Sequence, residues 1–261
     1  MIPAAAITAW SAVAPWATLA QIEQDLILSR LIVEIALDAT LGQQLAMRGG
    51  TCLHKLFVKP ALRYSEDLDY VQIVTEPSGP LFDALRVLAS RLRLDVVRTE
   101  TSDRMIRLRY RTPATDGSTT IRIKVEVNTR EKVPFQEHRL VPFAVQSPWF
   151  TGAAHVRTFT LEELLATKVR ALYQRRKGRD LFDLWIGLTQ LHADVEQVAQ
   201  AFRYYLPAVD APAADIRQNL AEKTTNRLFR TDLEPLIQRL PAGYAVERAM
   251  QDIQERLVKL L

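Results

Sequence analysis

Apolar residues recur at helical spacing in some segments and at alternate positions in others. Helices are predicted where they recur every three or four positions, at about residues 19–41, 51–57 and 81–92. Strands are predicted where apolar and polar residues alternate or β-branched residues dominate, at residues 63–71, 92–98, 105–111 and 119–128. This order of elements predicts an α+β fold with a mainly antiparallel mixed sheet.

The last third of the chain has a different pattern. After Asn128 the sequence is irregular, contains Pro134, Pro142 and Pro148, and predicts loops. Thr160 and Glu163 then match a capping box at the start of a helix, and helical spacing continues to the end except at residues 207–215. We therefore predict two domains, residues 1–155 and a helical domain of residues 156–261.

Composition allows a large core and narrows the chemistry. Of the 261 residues, 48% are hydrophobic, and 34 basic against 30 acidic residues give a net charge of +4, which permits an anionic partner without requiring one. A single cysteine, Cys52, excludes an internal disulfide and a cysteine zinc site. Charges interrupt every apolar run before the length of a membrane span, so we expect a cytoplasmic protein without a membrane partner.

The segment RYSEDLDYV contains two acids that share one face of a strand. Asp67 and Asp69 are two positions apart, so their side chains point the same way while Leu68 and Tyr70 point the other way. Two carboxylates this close repel each other unless one is protonated or a cation lies between them, and a divalent metal with oxygen ligands is the usual cation. The alternative is a solvated strand end in which Arg63 is the salt-bridge partner.

Glu126 is the third acid of interest. In TTIRIKVEVN it is the only acid on the polar face of an alternating strand. If this strand lies beside that of Asp67, Glu126 completes a three-carboxylate cluster that can hold two Mg²⁺ ions for phosphoryl transfer. The alternative is an exposed polar face.

Two further features could contact phosphate. Gly49, Gly50 and Thr51 precede a predicted helix, where backbone N–H groups can approach a phosphate, although a glycine pair is also typical of a plain turn. Lys168 interrupts the apolar stripe of the helix after Thr160. A lysine in that position needs an anion, which can be a buried acid such as Asp180 or a nucleotide phosphate.

Basic residues form two clusters. Arg107, Arg109 and Arg111 share a strand face, and the turn before the next helix holds Arg175, Arg176, Lys177 and Arg179. Both could contact the phosphates of a nucleic acid, or be solvated faces. In the helix that follows this turn, Asp180 fits an N-cap, and Asp183 is expected to face either solvent or a cleft with the other domain.

Together, the segments GGTCLHKLF, RYSEDLDYV, IKVEVN and LLATKVRALYQRRKGRDLFDLW resemble the AbiEii-type nucleotidyltransferase toxins of bacterial toxin-antitoxin and phage-defence systems, which include the MenT-type enzymes. The leading segment PWATLAQIEQDLILSRLIVEIA is also similar to that family. The resemblance implies a polymerase-β-like minimal nucleotidyltransferase core and a helical C-terminal domain. It also implies Mg²⁺- or Mn²⁺-dependent transfer of a nucleoside monophosphate from a nucleoside triphosphate.

The resemblance also implies roles for individual residues. Asp67, Asp69, Lys168 and Asp180 are implied to be catalytic, Glu126 to be a third metal ligand, and Gly49, Gly50, Thr51, Ser65 and Lys168 to bind the nucleotide. The implied acceptor is the 3′ end of tRNA, so that aminoacylation and translation stop, and a cognate antitoxin is the expected partner of a monomeric toxin. The alternatives are nucleotidyl or phosphoryl transfer to a protein or a small molecule, and a non-catalytic RNA- or partner-binding module.

Overall fold

A computed structural model describes residues 2–102, 104–205, 219–220 and 222–260. The chain divides into two compact units, Met1–Phe159 and Thr160–Leu261. The break predicted at residues 207–215 lies outside the described residues. No helix in the described part of the chain is both long enough and apolar enough to cross a membrane.

In the described part of the first unit, five helices combine with one sheet. The helices are α1 (Ala4–Trp10), α2 (Leu19–Leu37), α3 (Leu41–Gln44), α4 (Gly49–Cys52), which continues as a wider turn over Leu53–Phe57, and α5 (Gly79–Arg91). The strands are β1 (Leu45–Arg48), β2 (Asp67–Gln72), β3 (Asp95–Thr101), β4 (Met105–Pro113), β5 (Thr120–Asn128), β6 (Arg139–Gln146) and β7 (Thr151–Thr158). The predicted α+β class is confirmed.

The sheet is mixed and mostly antiparallel, as predicted. Its strand order is β3-β4-β5-β2-β1-β7-β6. Of the six pairings between the described strands, β2 with β5 and β1 with β7 are parallel and the other four are antiparallel. The central pair β2–β5 joins segments nearly sixty residues apart, and it therefore fixes which side chains of the two strands become neighbours.

One face of the sheet is core and the other is polar. Leu68 and Tyr70 of β2 lie beside Val125 and Val127 of β5, and all four are buried. Helix α2 packs against β5, β6 and β7, and α5 packs against β3. The helices therefore cover the apolar face, and the alternate residues of β2, β4 and β5 project from the opposite face.

Helix α2 is anchored to the start of the chain. Its N-cap, Thr18, forms a reciprocal capping box with Gln21, which satisfies two backbone donors at the helix start. Further along α2, the buried Asp25 carboxylate accepts hydrogen bonds from the indoles of Trp10 and Trp16 at 2.8 and 2.9 Å, and Lys55 lies 2.6 Å away. The apolar start of the chain is thus part of the first unit's core.

The prediction of loops after Asn128 is wrong, because β6 and β7 lie there. The two strands pair antiparallel from Arg139–Thr158 to Gln146–Thr151. Strand β6 is at the edge of the sheet, where a proline costs no inter-strand hydrogen bond if its nitrogen faces outward. Pro142 therefore lies within a strand, and proline was a misleading loop signal here.

The second unit is helical in its described part. Its helices are α6 (Leu161–Gln174), α7 (Gly178–Thr189), α8 (Val195–Tyr205), α9 (Arg227–Thr231) and α10 (Val246–Arg256), and short 3₁₀ turns cover Glu234–Leu236 and Val258–Leu260. The predicted N-cap of α6 is confirmed, because the Thr160 hydroxyl accepts a hydrogen bond from the Glu163 amide. Helix α6 packs against α7 and α8.

Candidate active site

The acidic pair of β2 lies on the polar face of the sheet. Asp67 and Asp69 project from this face and are partly exposed, while Leu68 and Tyr70 are buried on the other. The buried residues fix the strand in place, so the two carboxylates have a defined direction. Arg63, the salt-bridge partner considered for a solvated strand end, is 2% exposed, and its guanidinium donates to the Tyr64 carbonyl at 3.0 Å.

The register between β2 and β5 places a charged residue of β5 beside Asp67 and another beside Asp69. Lys124 is the β5 neighbour of Asp67, and Glu126 is the β5 neighbour of Asp69. The Lys124 ammonium lies 2.9 Å from the Asp67 carboxylate and 3.6 Å from that of Glu126. The predicted proximity of the Asp67 and Glu126 strands is therefore present, and a lysine lies between two of the three acids.

Glu126 is held by an arginine of the next strand. Arg107 of β4 is its register neighbour and donates to its carboxylate at 2.9 Å. The same guanidinium binds Glu100 of β3 at 2.7 Å. Within the described residues, no group of three or more His, Cys, Asp or Glu side chains is arranged to hold a metal ion. The role of Glu126 as a third metal ligand thus remains a prediction, and Arg107 competes for its carboxylate.

The negative charge of Asp69 is incompletely compensated by its surroundings. Burial raises its pKa, and the neighbouring charge of Asp67 raises it further, whereas Lys124 and Arg48 lower it without cancelling these effects. The ionised form is therefore disfavoured relative to an exposed aspartate. An added cation at this position would stabilise both carboxylates.

A glycine turn packs directly on this acid. Gly49 has a φ of +83°, and a Cβ at this position would lie 2.3 Å from Asp69 Oδ2. A Cβ on Gly50 would lie 2.4 Å from the Arg63 guanidinium and 3.2 Å from Ser65 Oγ. Both glycines therefore allow the backbone to approach these side chains more closely than any other residue could.

Thr51 links the glycine turn to β2. Its hydroxyl is 1% exposed, donates to the Asp67 carbonyl at 2.5 Å and lies 2.9 Å from Ser65 Oγ. Gly49, Gly50, Thr51, Ser65, Asp67 and Asp69 thus form one connected cluster in the first unit. Thr51 is buried and structural in this arrangement, whereas Ser65 is partly exposed.

Lys168 and the two nearby aspartates form a buried cluster in the second unit. The Lys168 ammonium lies 3.2 Å from Asp180 Oδ1 and 2.8 Å from Asp183 Oδ2, with side-chain exposures of 7%, 0% and 0%. Arg175 adds two hydrogen bonds to Asp180, at 2.7 and 2.9 Å. Burial acts to raise the pKa of Asp180, but the charges of Lys168 and Arg175 outweigh it and leave the pKa lowered.

This cluster corrects two predictions. Asp180 is the third residue of α7, and Lys177 occupies the N-cap position without a side-chain cap, so Asp180 is not a plain N-cap. Asp183 does not face solvent, because its side chain is fully buried and lies 2.8 Å from the Lys168 ammonium. The expected pairing of Lys168 with Asp180 is present.

The basic turn is largely committed to contacts within the second unit. Arg175 binds Asp180, and Lys177 and Arg179 bind Asp232 at 3.3 and 3.1 Å. Arg176 is exposed. Of the predicted nucleic-acid contacts on β4, Arg107 is engaged by Glu100 and Glu126, and Arg109 is exposed on the same face.

Sequence reasoning missed the cations that hold the acids. Lys124 and Arg107 neutralise Asp67 and Glu126, and Arg48 binds Glu131 at 2.7 Å beside Asp69. The alternation in TTIRIKVEVN already placed Lys124 and Glu126 on one face. The missing information was which strands pair, and in which register.

The donor chemistry of the β2 pair fits a divalent cation. Carboxylate oxygens are the ligands that Mg²⁺ and Mn²⁺ prefer. The raised pKa of Asp69 shows that the Lys124 and Arg48 charges do not fully offset its burial and the charge of Asp67. Asp67 and Asp69 are therefore suited to hold such an ion, whereas Glu126 would first have to leave Arg107.

Comparison with known proteins agrees with this arrangement. The family model described as nucleotidyl transferase AbiEii toxin, Type IV TA system, matches residues 30–256. The structure is similar to that of MenT4, a nucleotidyltransferase toxin from Mycobacterium tuberculosis, with 16% identity, a TM-score of 0.65, and coverage of 94% of this chain and 87% of that chain. It is also similar to JHP933 from Helicobacter pylori, with 18% identity, a TM-score of 0.57, and coverage of 94% and 92%.

At these identities the two structures support the fold alone. No relative was found among curated protein sequences. The family model covers most of the chain, including the glycine turn, the acidic pair, Lys168 and Asp180. The chain therefore belongs to the AbiEii family of nucleotidyltransferase toxins.

Proposed function

We propose that this protein transfers a nucleoside monophosphate from a nucleoside triphosphate to the 3′ end of an RNA, with tRNA as the acceptor. The observation that carries the proposal is the carboxylate pair Asp67 and Asp69, in which the charge of Asp69 is incompletely compensated and the Gly49 turn packs against Asp69. Family membership supplies the reaction class. The acceptor, the triphosphate and the metal are parts of the proposal.

The reaction joins two molecules at the α-phosphorus of the triphosphate. The 3′-oxygen of the RNA bonds to this phosphorus, the bond to the β-phosphate oxygen breaks, pyrophosphate leaves, and the hydroxyl proton passes to solvent. Because the transition state carries spread negative charge, catalysis depends on positioning and on nearby positive groups. Asp67 and Asp69 would hold Mg²⁺ or Mn²⁺, which lowers the pKa of the hydroxyl and neutralises charge on pyrophosphate when bound.

The first unit supplies the remaining contacts. The absence of side chains at Gly49 and Gly50 lets backbone groups approach a phosphate, and the partly exposed Ser65 hydroxyl lies beside them. Lys124 lies 2.9 Å from the Asp67 carboxylate and balances its charge before substrate binds. Once another cation binds Asp67, the Lys124 ammonium is available to a phosphate oxygen.

Lys168 is proposed to bind the nucleotide as well as stabilise the second unit. An ammonium has three donors, and Asp180 and Asp183 engage two of them. The pKa of Asp180 is lowered, and its carboxylate lies 3.2 Å from the Lys168 ammonium. Its proposed catalytic role is therefore to position Lys168.

Incubation with α-labelled nucleoside triphosphates, Mg²⁺ and total tRNA tests the proposal. We expect label on RNA, resolved on a denaturing gel, and lost when EDTA is added. Parallel reactions with tRNA-depleted protein extract test the alternative acceptor. Label on protein with none on tRNA would overturn the proposed acceptor, and label on neither would overturn the proposed activity under these conditions.

A cognate antitoxin is the partner expected of a toxin from this family. Co-expression of this chain with the product of the adjacent gene tests the expectation. Restored growth, compared with expression of this chain alone, is the predicted result.

A further inference from the structure

The polar face of the sheet carries a basic cavity next to the acidic pair. Its volume is about 580 Å³, and Asp67 lies at its border. Five basic side chains line it, from β3, β4 and β5: Arg98, Arg109, Arg111, Arg122 and Lys124. The acidic side chains in its lining are those of Glu66 and Asp67, so positive charge predominates.

The five cations differ in how far acids neutralise them. Lys124 is bound by Asp67, and Arg98 is bound by Glu100 at 2.7 Å. Arg111 has a long, exposed contact of 3.9 Å with Asp95, which contributes little. Arg109 and Arg122 are exposed and make no ion pair within the described residues. Glu100, whose pKa the Arg109 charge helps to lower, is already bound by Arg98 and Arg107. The Arg109 and Arg122 guanidiniums therefore add positive charge to the cavity that no ion pair within the described residues holds.

The cavity extends away from the glycine turn. Gly49 contacts Asp69, which is in register with Glu126. Arg122 lies four residues before Glu126 on β5 and is paired with Arg111, which places it about 13 Å along the strand from the level of Asp69. A triphosphate bound at the glycine turn and the acidic pair would therefore leave Arg122 for a different phosphate.

The cavity wall is a fixed surface. The Gln24 side chain donates hydrogen bonds to the backbone carbonyls of Glu66 and Arg122, at 3.2 and 3.0 Å. It therefore links β5 to the segment that enters β2 at the cavity border. Because the two segments are tied together, the backbone positions from which Asp67 and Arg122 project are fixed relative to each other.

The lining favours contact with a nucleic-acid backbone over contact with bases. Tyr110 is the aromatic residue of the lining, and it is 2% exposed, so it offers no stacking surface. Arginine guanidiniums bind phosphate oxygens in a bidentate manner. Without an exposed ring, a strand bound here would be held by its phosphates and independently of its sequence.

We propose that this cavity binds the phosphate backbone of the acceptor RNA next to its reacting end, with Arg109 and Arg122 as the principal contacts. The inference rests on the proposed transfer to RNA and specifies where the acceptor lies. The nucleotide's triphosphate has the same phosphate chemistry, so the experiment includes an arm for each source.

The test compares Arg109→Gln/Arg122→Gln with Arg139→Gln/Arg239→Gln. The control removes the same charge from two exposed arginines, one on β6 and one in the second unit. Fluorescence anisotropy measures binding of a short fluorescein-labelled single-stranded RNA without nucleotide at several salt concentrations. Steady-state transfer to tRNA measures KM separately for RNA and for the nucleoside triphosphate.

The proposal predicts three results for Arg109→Gln/Arg122→Gln. Its RNA affinity falls at least about tenfold, because charge-assisted hydrogen bonds are lost. The slope of log K against log salt becomes shallower by about 1.4, since each phosphate contact to a single strand contributes about 0.7. Its KM for RNA rises while its KM for the nucleoside triphosphate stays within twofold, and the control behaves as the wild type.

Other outcomes overturn the proposal. A raised KM for the nucleoside triphosphate with unchanged RNA affinity assigns the cavity to the triphosphate. An equal loss of RNA affinity in the control variant would show that RNA is attracted by net charge alone. If the wild type does not bind RNA, RNA is not the ligand of the cavity. If the wild type binds RNA without transferring label, the proposed function fails while the anisotropy comparison still decides whether the cavity holds RNA.

Discussion

The two units each contain a pair of aspartates with basic neighbours, but in opposite electrostatic states. In the first unit, Asp67 is partly exposed, whereas the Asp69 carboxylate is packed against Gly49, and burial and the charge of Asp67 raise the pKa of Asp69. In the second unit, Asp180 and Asp183 are fully buried against Lys168, and the pKa of Asp180 is lowered.

The difference shows how similar residues serve two purposes. The second cluster holds its own counter-charges, so removing one would leave a buried charge unpaired. In the first cluster the charge of Asp69 is incompletely compensated on the polar side of the sheet, so a cation bound there would stabilise the cluster. A deficit of positive charge marks a binding site more clearly than the number of acids does.

The largest effect is expected from removing a carboxylate of the first cluster. Asp67→Asn should lower the rate of nucleotidyl transfer about 10³-fold, or about 4 kcal/mol, because the cation loses a charged ligand. Its free energy of unfolding should change little, since Asp67 is partly exposed. Asp83→Asn, an exposed change on α5, is the control and should keep the wild-type rate. An unchanged rate of transfer in Asp67→Asn would contradict the role of Asp67 as a ligand of the cation.

The next largest effect is expected in the second cluster. Lys168→Met should lower the free energy of unfolding by about 3 kcal/mol, because Asp183 loses its cation at 2.8 Å while buried. Urea denaturation measures this. Lys177→Met removes an exposed lysine 3.3 Å from Asp232 and should cost less than about 1 kcal/mol. Equal stability losses would break the contrast between buried and exposed pairs.

Gly49→Ala should have an intermediate effect on stability and a specific effect on activity. The left-handed backbone at φ +83° should cost about 1–2 kcal/mol with alanine, and the new Cβ would displace the Asp69 carboxylate. Gly117→Ala is a matched control, because it has φ +69° but nothing within 4 Å of its Cβ. Both variants should lose stability, and only Gly49→Ala should lose transfer.

The smallest effect should be a gain in stability. An acid whose folded pKa is raised binds its proton more tightly in the native state, so its ionisation costs stability as the pH rises above the unfolded value. Asp69→Asn, without added metal, should therefore be more stable than wild type at pH 7, and the two should converge near pH 3. Urea denaturation across this range measures the difference. A less stable Asp69→Asn at pH 7 would show that Arg48 and Lys124 outweigh the repulsion.

Local sequence patterns predicted the parts of the site that depend on one strand. The spacing of Asp67 and Asp69, with Leu68 and Tyr70 between them, fixed which face each would occupy. The spacing of Thr160 and Glu163 similarly predicted the start of α6. Each prediction depends on neighbours within four residues, where backbone geometry alone determines direction.

Partners from other strands could not be predicted in the same way. Glu126 was expected to join the acids, and its strand does lie beside β2, but Arg107 from β4 binds its carboxylate. Which charges meet depends on the register of three strands separated along the chain. The second unit gives a parallel case, because Asp183 was placed by helical spacing alone and its burial depends on packing around Lys168.

Manganese binding followed by electron paramagnetic resonance tests the central claim most directly, because free Mn²⁺ gives a strong signal that weakens on binding. The titration is made with a non-hydrolysable nucleoside triphosphate analogue, subtracting its own Mn²⁺ binding. The account predicts that wild type binds Mn²⁺, that Asp67→Asn/Asp69→Asn does not, and that Asp83→Asn matches the wild type. Equal Mn²⁺ binding by wild type and Asp67→Asn/Asp69→Asn would contradict it.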